Sequence, residues 1–236
     1  MPSLAPSGRF RQVEFNTGFQ VSTFCSIENP GSTVLAIDPK YRIIAGLIGG
    51  LAVAALVAHV LGRMGNAGLA AVLWRSSGYF TILTNSLTAG TFLTIAASGR
   101  RMSFGWMSML TLSMIMVALV YHILLAHLFN PHGLRWWVDQ AFHTILPASV
   151  LWFWLMEVTR SDPRGGRPLV WAIWPACYGA YALLRGAVTG WYPYPFLNVG
   201  TIDWSDVALN LAGITLAFVA LAYVMNYLGQ RMPLRD

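Results

Sequence analysis

The chain has 236 residues, of which 56% are hydrophobic and only 10% are charged, and its mean hydropathy is +0.56. Soluble domains average about 25% charged residues, so this composition excludes an ordinary soluble globular protein. The formal net charge of +6 would suit binding to nucleic acid, but the positions of the basic residues, given below, favour a membrane topology instead.

The first predicted element is a polar N-terminal tail, residues 1–38. It contains Pro, Gly and Ser and lacks the apolar stretch of a secretory signal. We therefore expect a flexible tail followed by a membrane domain over residues 39–236. Cys25 in the tail and Cys177 in a later segment show no spacing pattern, so the cysteines predict neither a metal site nor a disulfide.

Six apolar segments follow, each close to the roughly 20 residues that cross a hydrocarbon core about 30 Å thick. They lie at about 41–62, 79–98, 104–128, 137–158, 168–190 and 207–229, and the second could begin as early as Gly68. The connecting loops are short. The sequence therefore predicts an all-α polytopic membrane protein, a bundle of six transmembrane helices.

The basic residues favour one orientation of these segments. With the N terminus in the cytoplasm, eleven Lys and Arg residues fall on the cytoplasmic side and three outside, and Arg185 lies within the fifth segment. The positive-inside rule then predicts that both termini are cytoplasmic, and no nucleic-acid partner is expected. The eleven are Arg9, Arg11, Lys40, Arg42, Arg100, Arg101, Arg160, Arg164, Arg167, Arg231 and Arg235; the three are Arg63, Arg75 and Arg135.

On this topology, five groups of polar residues fall in the outer half of the membrane. Strongly polar side chains are costly in lipid, so they face the interior of the bundle or a wet cavity. Their concentration on one side predicts a site that opens to the outer leaflet or to the periplasm. The groups are His59; Thr81, Thr84 and Asn85; His122 and His127; Asp139 and His143; and Arg185.

His143 is the strongest single candidate for a functional role. Asp139 precedes it by four residues and shares its helical face, and a carboxylate beside an imidazole orients the ring. The hydroxyls and the amide of the second segment could instead bond to carbonyls of the preceding turn or join helices. Arg185 either neutralises Asp139 or holds main-chain carbonyls, or it binds a carboxylate or phosphate of a ligand, and both alternatives stay open.

Three local patterns occur in order along the chain: YFTILTN (79–85), FHTILPASVLWFWLM (142–156) and GWYPYPFLNVG (190–200). Together they resemble the six-span family that contains androgen-induced protein one and the androgen-dependent regulator of tissue factor pathway inhibitor. The resemblance covers roughly residues 41–230, and the chain looks like a bacterial-type member, which implies a multi-pass protein of an inner membrane. Characterised members are intramembrane threonine hydrolases that cleave fatty-acid esters of hydroxy fatty acids. The resemblance thus implies a hydrolase without a cofactor, whose partners are membrane lipids and a lipid ester.

Carried over to this sequence, the resemblance implies that Thr81 is the nucleophile and His143 the base. Thr84 lies three residues from Thr81 on the same helical face and is the alternative nucleophile. A threonine hydroxyl needs a base to take its proton, and the same histidine would then protonate the leaving alkoxide. Asp139 would support the imidazole, and the oxyanion needs hydrogen-bond donors. The candidate donors are Asn85, Arg185 and Tyr194, the last within the matching YPYPF loop.

Two other kinds of function are compatible with the sequence. Intramembrane histidines could bind a metal or haem, with His122 and His143 as facing haem ligands or with His122, Asp139 and His143 as zinc ligands. The chain could instead be a non-catalytic lipid-binding or transport protein, although it shows no clear internal repeat. The histidines available for a metal or haem are His59, His122, His127 and His143.

Overall fold

A computed structural model of the protein describes residues 37–65, 68–158 and 167–232. These residues form helices and turns, and the described part of the chain contains no β-strand. The predicted tail, apart from its last two residues, and Cys25 lie outside the described residues. The helices in chain order are α1 (Pro39–Met64), α2 (Leu69–Ser76), α3 (Phe80–Ser98), α4 (Phe104–Val120), α5 (Leu134–Gln140), α6 (Leu146–Val158), α7 (Pro168–Trp171), α8 (Ile173–Thr189) and α9 (Trp204–Arg231).

Two π-helical segments extend these helices. Tyr121–Leu125 continues α4, and a 3₁₀ turn, Ala126–Leu128, follows it. Ala141–Ile145 joins α5 to α6, so that residues 134–158 run as one helical stretch. A π-helical turn inserts an extra residue and is found frequently at functional sites.

Four helical stretches are long and apolar enough to cross a membrane: Pro39–Met64, Phe80–Ser98, Phe104–Leu128 and Trp204–Arg231. They coincide with the first, second, third and sixth predicted segments. The fourth and fifth predicted segments are also helical, but α8 has only 17 residues. The described residues are those of an all-α protein whose apolar helices suit a membrane, which confirms the predicted fold class in its coarse form.

Large apolar side chains cover the outside of the bundle, while hydroxyls and an amide lie inside it. Leu47 and Val188 are 69% and 78% exposed, whereas Thr84, Asn85 and Thr88 are completely buried. A soluble protein buries its large aliphatic residues and exposes its polar ones. The reversed pattern indicates a surface that faces lipid around an interior that satisfies polar groups.

The tightest helix pair is α1 against α3. A Cβ atom at Gly49 would lie 3.0 Å from Leu93, so a glycine there allows the two helices to approach closely. At its C-terminal end, α3 stops at Gly99, which has a φ of +64°. Arg42 of α1 donates a 2.9 Å hydrogen bond to the carbonyl of Ala97, one of the free carbonyls of that last turn. These contacts fix α3, the helix that carries Thr81, against α1.

The second predicted segment begins later than its earliest predicted start at Gly68. Residues 69–76 form the separate helix α2, which ends before a turn at Ser77 and Gly78. The extended residue Tyr79 then caps α3, so Thr81 lies in the first turn of a new helix.

Candidate active site

Thr81 and His143 lie side by side although 62 residues separate them in the chain. The Thr81 Oγ1 atom is 3.5 Å from His143 Nε2. Thr81 is placed by the first turn of α3, and His143 is the middle residue of the π-helical segment Ala141–Ile145. The pair is at the outer limit of a hydrogen bond, and such contacts commonly shorten when substrate is bound.

Asp139 holds the opposite edge of the His143 ring. His143 Nδ1 is 3.2 Å from the Asp139 carboxylate oxygen Oδ1 and 3.0 Å from the main-chain oxygen of the same residue. Both neighbours are acceptors, so Nδ1 carries the proton and Nε2 presents its lone pair to Thr81. The imidazole is therefore held in the tautomer that a general base for Thr81 requires.

Tyr121 completes the support of the imidazole, and sequence reasoning missed it. Its ring stacks on that of His143, with centroids 3.7 Å apart and planes 9° apart. Its hydroxyl donates a hydrogen bond to Asp139 Oδ2. The contacts fix both the plane of the ring and the carboxylate. The available signal was a tyrosine directly before His122 inside an otherwise apolar segment.

Tyr194 lies on the other side of Thr81. Its buried hydroxyl accepts a 3.1 Å hydrogen bond from the Phe80 N–H and interacts with the hydroxyl and main chain of Thr81. Burial raises the pKa of the Tyr194 hydroxyl, which keeps the proton on this group at neutral pH. A neutral hydroxyl beside the positive end of the α3 dipole suits stabilisation of an oxyanion formed next to Thr81.

A cavity of about 410 Å³ opens onto these side chains. Thr81, His143, Asp139, Tyr121 and Tyr194 all line it. Most of the remaining lining is apolar or aromatic, and the volume lies within the usual range of small-molecule sites. The arrangement can bind an apolar ligand and present one polar group of it to Thr81.

No family model matches this sequence, and no curated protein or solved structure shows significant similarity to it. The resemblance of its three local patterns to the six-span hydrolases therefore stays a prediction. What the structure contributes is the geometry around Thr81 and His143.

Thr84, the alternative nucleophile, faces away from the cavity. Its side chain is completely buried, and its hydroxyl oxygen accepts a 3.1 Å hydrogen bond from Trp174 Nε1. Asn85 is equally buried and donates a 2.8 Å hydrogen bond from its side-chain nitrogen to the carbonyl of Thr81. Asn85 thus braces the main chain of the turn that carries Thr81, and neither residue is among those that line the cavity.

Arg185 holds the turn that precedes α3. It is 7% exposed, and its two terminal nitrogens donate hydrogen bonds to the carbonyl of Trp74, to Ser77 Oγ and to the hydroxyl of Tyr181. Its guanidinium carbon also lies 4.2 Å from the centre of the Trp74 ring. Of the two predicted alternatives, the structure places Arg185 where it holds a main-chain carbonyl, and it does not line the cavity.

The three other histidines predicted as candidate metal or haem ligands lie in different surroundings. His122 is exposed, and its Nε2 atom is 3.1 Å from Thr144 Oγ1. His127 is exposed in a 3₁₀ turn, whereas His59 lines the cavity with its Nε2 atom 3.2 Å from Ser76 Oγ. Among the described residues, no three His, Cys, Asp or Glu side chains are grouped closely enough to hold a metal ion. Metal or haem binding stays an untested hypothesis.

Proposed function

We propose that the protein is an intramembrane hydrolase that cleaves a lipid ester, with Thr81 as the nucleophile and His143 as the general base. One observation carries this proposal: Thr81 Oγ1 lies 3.5 Å from the Nε2 atom of an imidazole whose Nδ1 atom faces Asp139. Membership of the six-span hydrolase family, six membrane-spanning segments, cytoplasmic termini and a bacterial inner membrane are parts of the same proposal.

In the first half of the reaction, His143 Nε2 takes the proton of the Thr81 hydroxyl while Oγ1 bonds to the ester carbonyl carbon. The carbonyl oxygen becomes an oxyanion, which the Tyr194 hydroxyl and the positive end of α3 stabilise. Collapse of this intermediate breaks the bond to the alcohol oxygen. The leaving alkoxide takes the proton from His143, so an alcohol departs and the acyl group stays on Thr81.

In the second half, water replaces the alcohol. His143 takes a proton from water as the water oxygen bonds to the acyl carbon, and the bond to Thr81 Oγ1 then breaks. The proton returns to Thr81, and the acyl group leaves as a carboxylic acid. One ester and one water thus give one acid and one alcohol, with the enzyme restored.

The lining of the cavity supports a lipid as the substrate. Leu125, Leu128, Val138 and Phe142 form apolar walls beside Thr81 and His143. Transfer of a methylene from water into such an environment is favourable by about 0.8 kcal/mol, and a chain that enters from lipid meets surroundings as apolar as those that it leaves. The site therefore suits an ester with a long hydrocarbon chain better than a small polar ester.

The test uses full-length protein in nanodiscs and a panel of lipid and fluorogenic esters. We expect hydrolysis by the wild type and a loss of about 10³-fold or more in Thr81→Val, which keeps the side-chain shape but lacks the hydroxyl. Thr81→Ser should retain part of the activity. The matched control is Thr94→Val, an exposed threonine of the same helix, which should behave as wild type.

Active-site labelling gives a second measurement. A fluorophosphonate probe should modify Thr81 in the wild type, and His143→Gln should prevent the labelling. A wild-type protein that hydrolyses no ester of the panel, or a Thr81→Val protein as active as the wild type, would contradict the proposed function.

A further inference from the structure

Three polar side chains connect the two π-helical segments on the outside of the bundle. His122 Nε2 is 3.1 Å from Thr144 Oγ1, and the Thr144 hydroxyl donates a 3.0 Å hydrogen bond to Gln140 Oε1. Because this hydroxyl gives its one proton to Gln140, its oxygen accepts a hydrogen bond from the N–H of His122 Nε2. The proposed reaction uses none of the three residues, and none of them lines the cavity.

The surroundings of this polar connection face lipid. His122 and Thr144 are exposed, and so are their large apolar neighbours Ile123 and Ile145. Polar side chains on a lipid-facing surface are costly, and a hydrogen bond between them recovers only part of that cost. Two apolar side chains would suit the surface better if contact with lipid were their only role. The polar pair therefore indicates that these two residues hold the π-helical segments together.

The same two segments also meet on their inner side, one residue earlier in each. There the ring of Tyr121 stacks on the ring of His143. Consecutive residues of a helix point roughly a quarter of a turn apart, so the inner pair and the outer pair hold the segment Ala141–Ile145 on two different sides. The segment cannot rotate about its own axis without breaking one of these contacts.

A small rotation of this segment would separate Thr81 from His143. The ends of helical side chains lie about 5–6 Å from the helix axis, so a rotation of about 10° displaces them by about 1 Å. Thr81 Oγ1 and His143 Nε2 are 3.5 Å apart, which is already the outer limit of a hydrogen bond. A misplacement of about 1 Å can lower the rate of a reaction by about 100-fold.

We propose that His122 and Thr144 are positioning residues: their hydrogen bond fixes the rotation of the second π-helical segment and so keeps His143 against Thr81. Gln140 supports the pair, because it takes the Thr144 proton and leaves the oxygen of that hydroxyl to accept from His122. The effect on catalysis rests on the proposed function, whereas the effect on the position of His143 does not.

The kinetic test removes each member of the outer pair in turn. Thr144→Val and His122→Leu should each lower kcat on the best ester by about 10- to 100-fold, with KM within about twofold of the wild type because the cavity lining is unchanged. Thr144→Ser keeps the hydroxyl and should retain most of the activity. The double variant should be no slower than the slower single variant, because both substitutions break the same hydrogen bond.

The matched control is Thr94→Val, which removes an exposed hydroxyl that donates a 2.7 Å hydrogen bond to the carbonyl of Gly90 in its own helix. It should keep the wild-type kcat. In Thr144→Val, the removal of a polar group from lipid offsets part of the lost hydrogen bond, so Tm should stay close to that of the wild type. A wild-type kcat in both Thr144→Val and His122→Leu would overturn the proposal. Variants that are unfolded at the assay temperature would show a role in stability instead and would overturn it as well.

A measurement without substrate separates this inference from the proposed reaction. Nitrogen NMR of protein with isotope-labelled histidine detects His143 Nε2, whose signal is assigned by its loss in His143→Gln. In Thr144→Val and in His122→Leu this signal should move toward its position in Thr81→Val, which lacks the hydroxyl that faces Nε2, and Thr94→Val should leave it in place. If the wild type hydrolyses no ester but the signal moves in this way, the hydrolase proposal fails and the positioning role stands. A signal that stays at its wild-type position in both variants refutes the positioning role, whatever the kinetics show.

Discussion

Replacing Asp139 by Asn removes a negative charge from the site while nearly preserving the shape of the side chain. In the structure, His143 Nδ1 faces two acceptors, the carboxylate oxygen at 3.2 Å and the main-chain oxygen at 3.0 Å. The variant keeps the main-chain acceptor. The imidazole should therefore keep the tautomer whose Nε2 faces Thr81, but it loses the charge that stabilises its protonated form during the reaction.

The two acceptors determine how large the loss should be. In serine proteases, where the carboxylate sets the tautomer, the corresponding substitution lowers kcat by about 10⁴-fold. Here the expected cost is one charge-assisted hydrogen bond, about 1.5–3 kcal/mol. This corresponds to about a 10- to 150-fold decrease in kcat.

The assay measures kcat of purified Asp139→Asn protein on the best ester of the panel. The rate of Thr81→Val gives the residual activity without the threonine hydroxyl. A decrease of 10³-fold or more would show that the main-chain oxygen does not hold the tautomer. Unchanged kcat would show that the carboxylate does not assist the base. Either result would refute the reasoning about Nδ1.

Asp139→Asn should also change the stability of the protein, and measuring this change tests the contacts of the carboxylate independently of the kinetics. The carboxylate of Asp139 receives a hydrogen bond from Tyr121 and faces the Nδ1 atom of His143, whereas an amide offers one acceptor oxygen. In Asp139→Asn, one of these two donors, the Tyr121 hydroxyl or His143 Nδ1, then faces the NH₂ group of the amide. This should lower the free energy of unfolding by about 1–3 kcal/mol. Tyr121→Phe removes one of the donors, so it should cost less when combined with Asp139→Asn than in the wild type. Thermal unfolding of the wild type, the two single variants and the double variant measures this coupling.

Three further predictions concern Tyr194 and a contact of helix α8. Tyr194→Phe should lower kcat by about 100-fold with little change in KM, as loss of one oxyanion donor does, and steady-state kinetics would show it. Because burial raises the pKa of Tyr194, the folded state should lose stability as the pH rises above about 10, and less so in the Phe variant; thermal unfolding from pH 9 to 11 measures this. At Gly186 a Cβ atom would overlap the ring of Tyr192, whereas at Gly90 it would meet nothing within 4 Å. Gly186→Ala should therefore lower Tm and Gly90→Ala should not.

Apolar length could predict the helices because a membrane-spanning helix must bury every main-chain polar group within itself. The segment predicted at 104–128 coincides with the observed stretch Phe104–Leu128. The contact between Thr81 and His143 could also be predicted from the sequence, since both residues lie near the start of a predicted segment that begins on the same side of the membrane. The separate helix α2 could not be predicted, because the point at which it ends depends on Arg185. This residue is far along the chain, and its hydrogen bonds hold the turn at Ser77.

The π-helical segments could not be predicted from the sequence, for a related reason. An extra residue in a helical turn is unfavourable by itself and persists only where tertiary contacts stabilise it. Here the two segments meet each other: Tyr121 begins one, His143 is at the centre of the other, and their rings stack. A π-helical stretch and an α-helical stretch of the same sequence have the same hydropathy. Only the contact between the two segments in the folded structure therefore distinguishes them from α-helix.

One arginine shapes the candidate site from outside the cavity, through its hydrogen bonds. Arg185 is buried, and a buried guanidinium must find hydrogen-bond acceptors inside the protein. It finds them in Trp74 and Ser77, and the turn that it holds starts α3 so that Thr81 lies 3.5 Å from His143. A buried cation that does not itself line the cavity therefore positions Thr81.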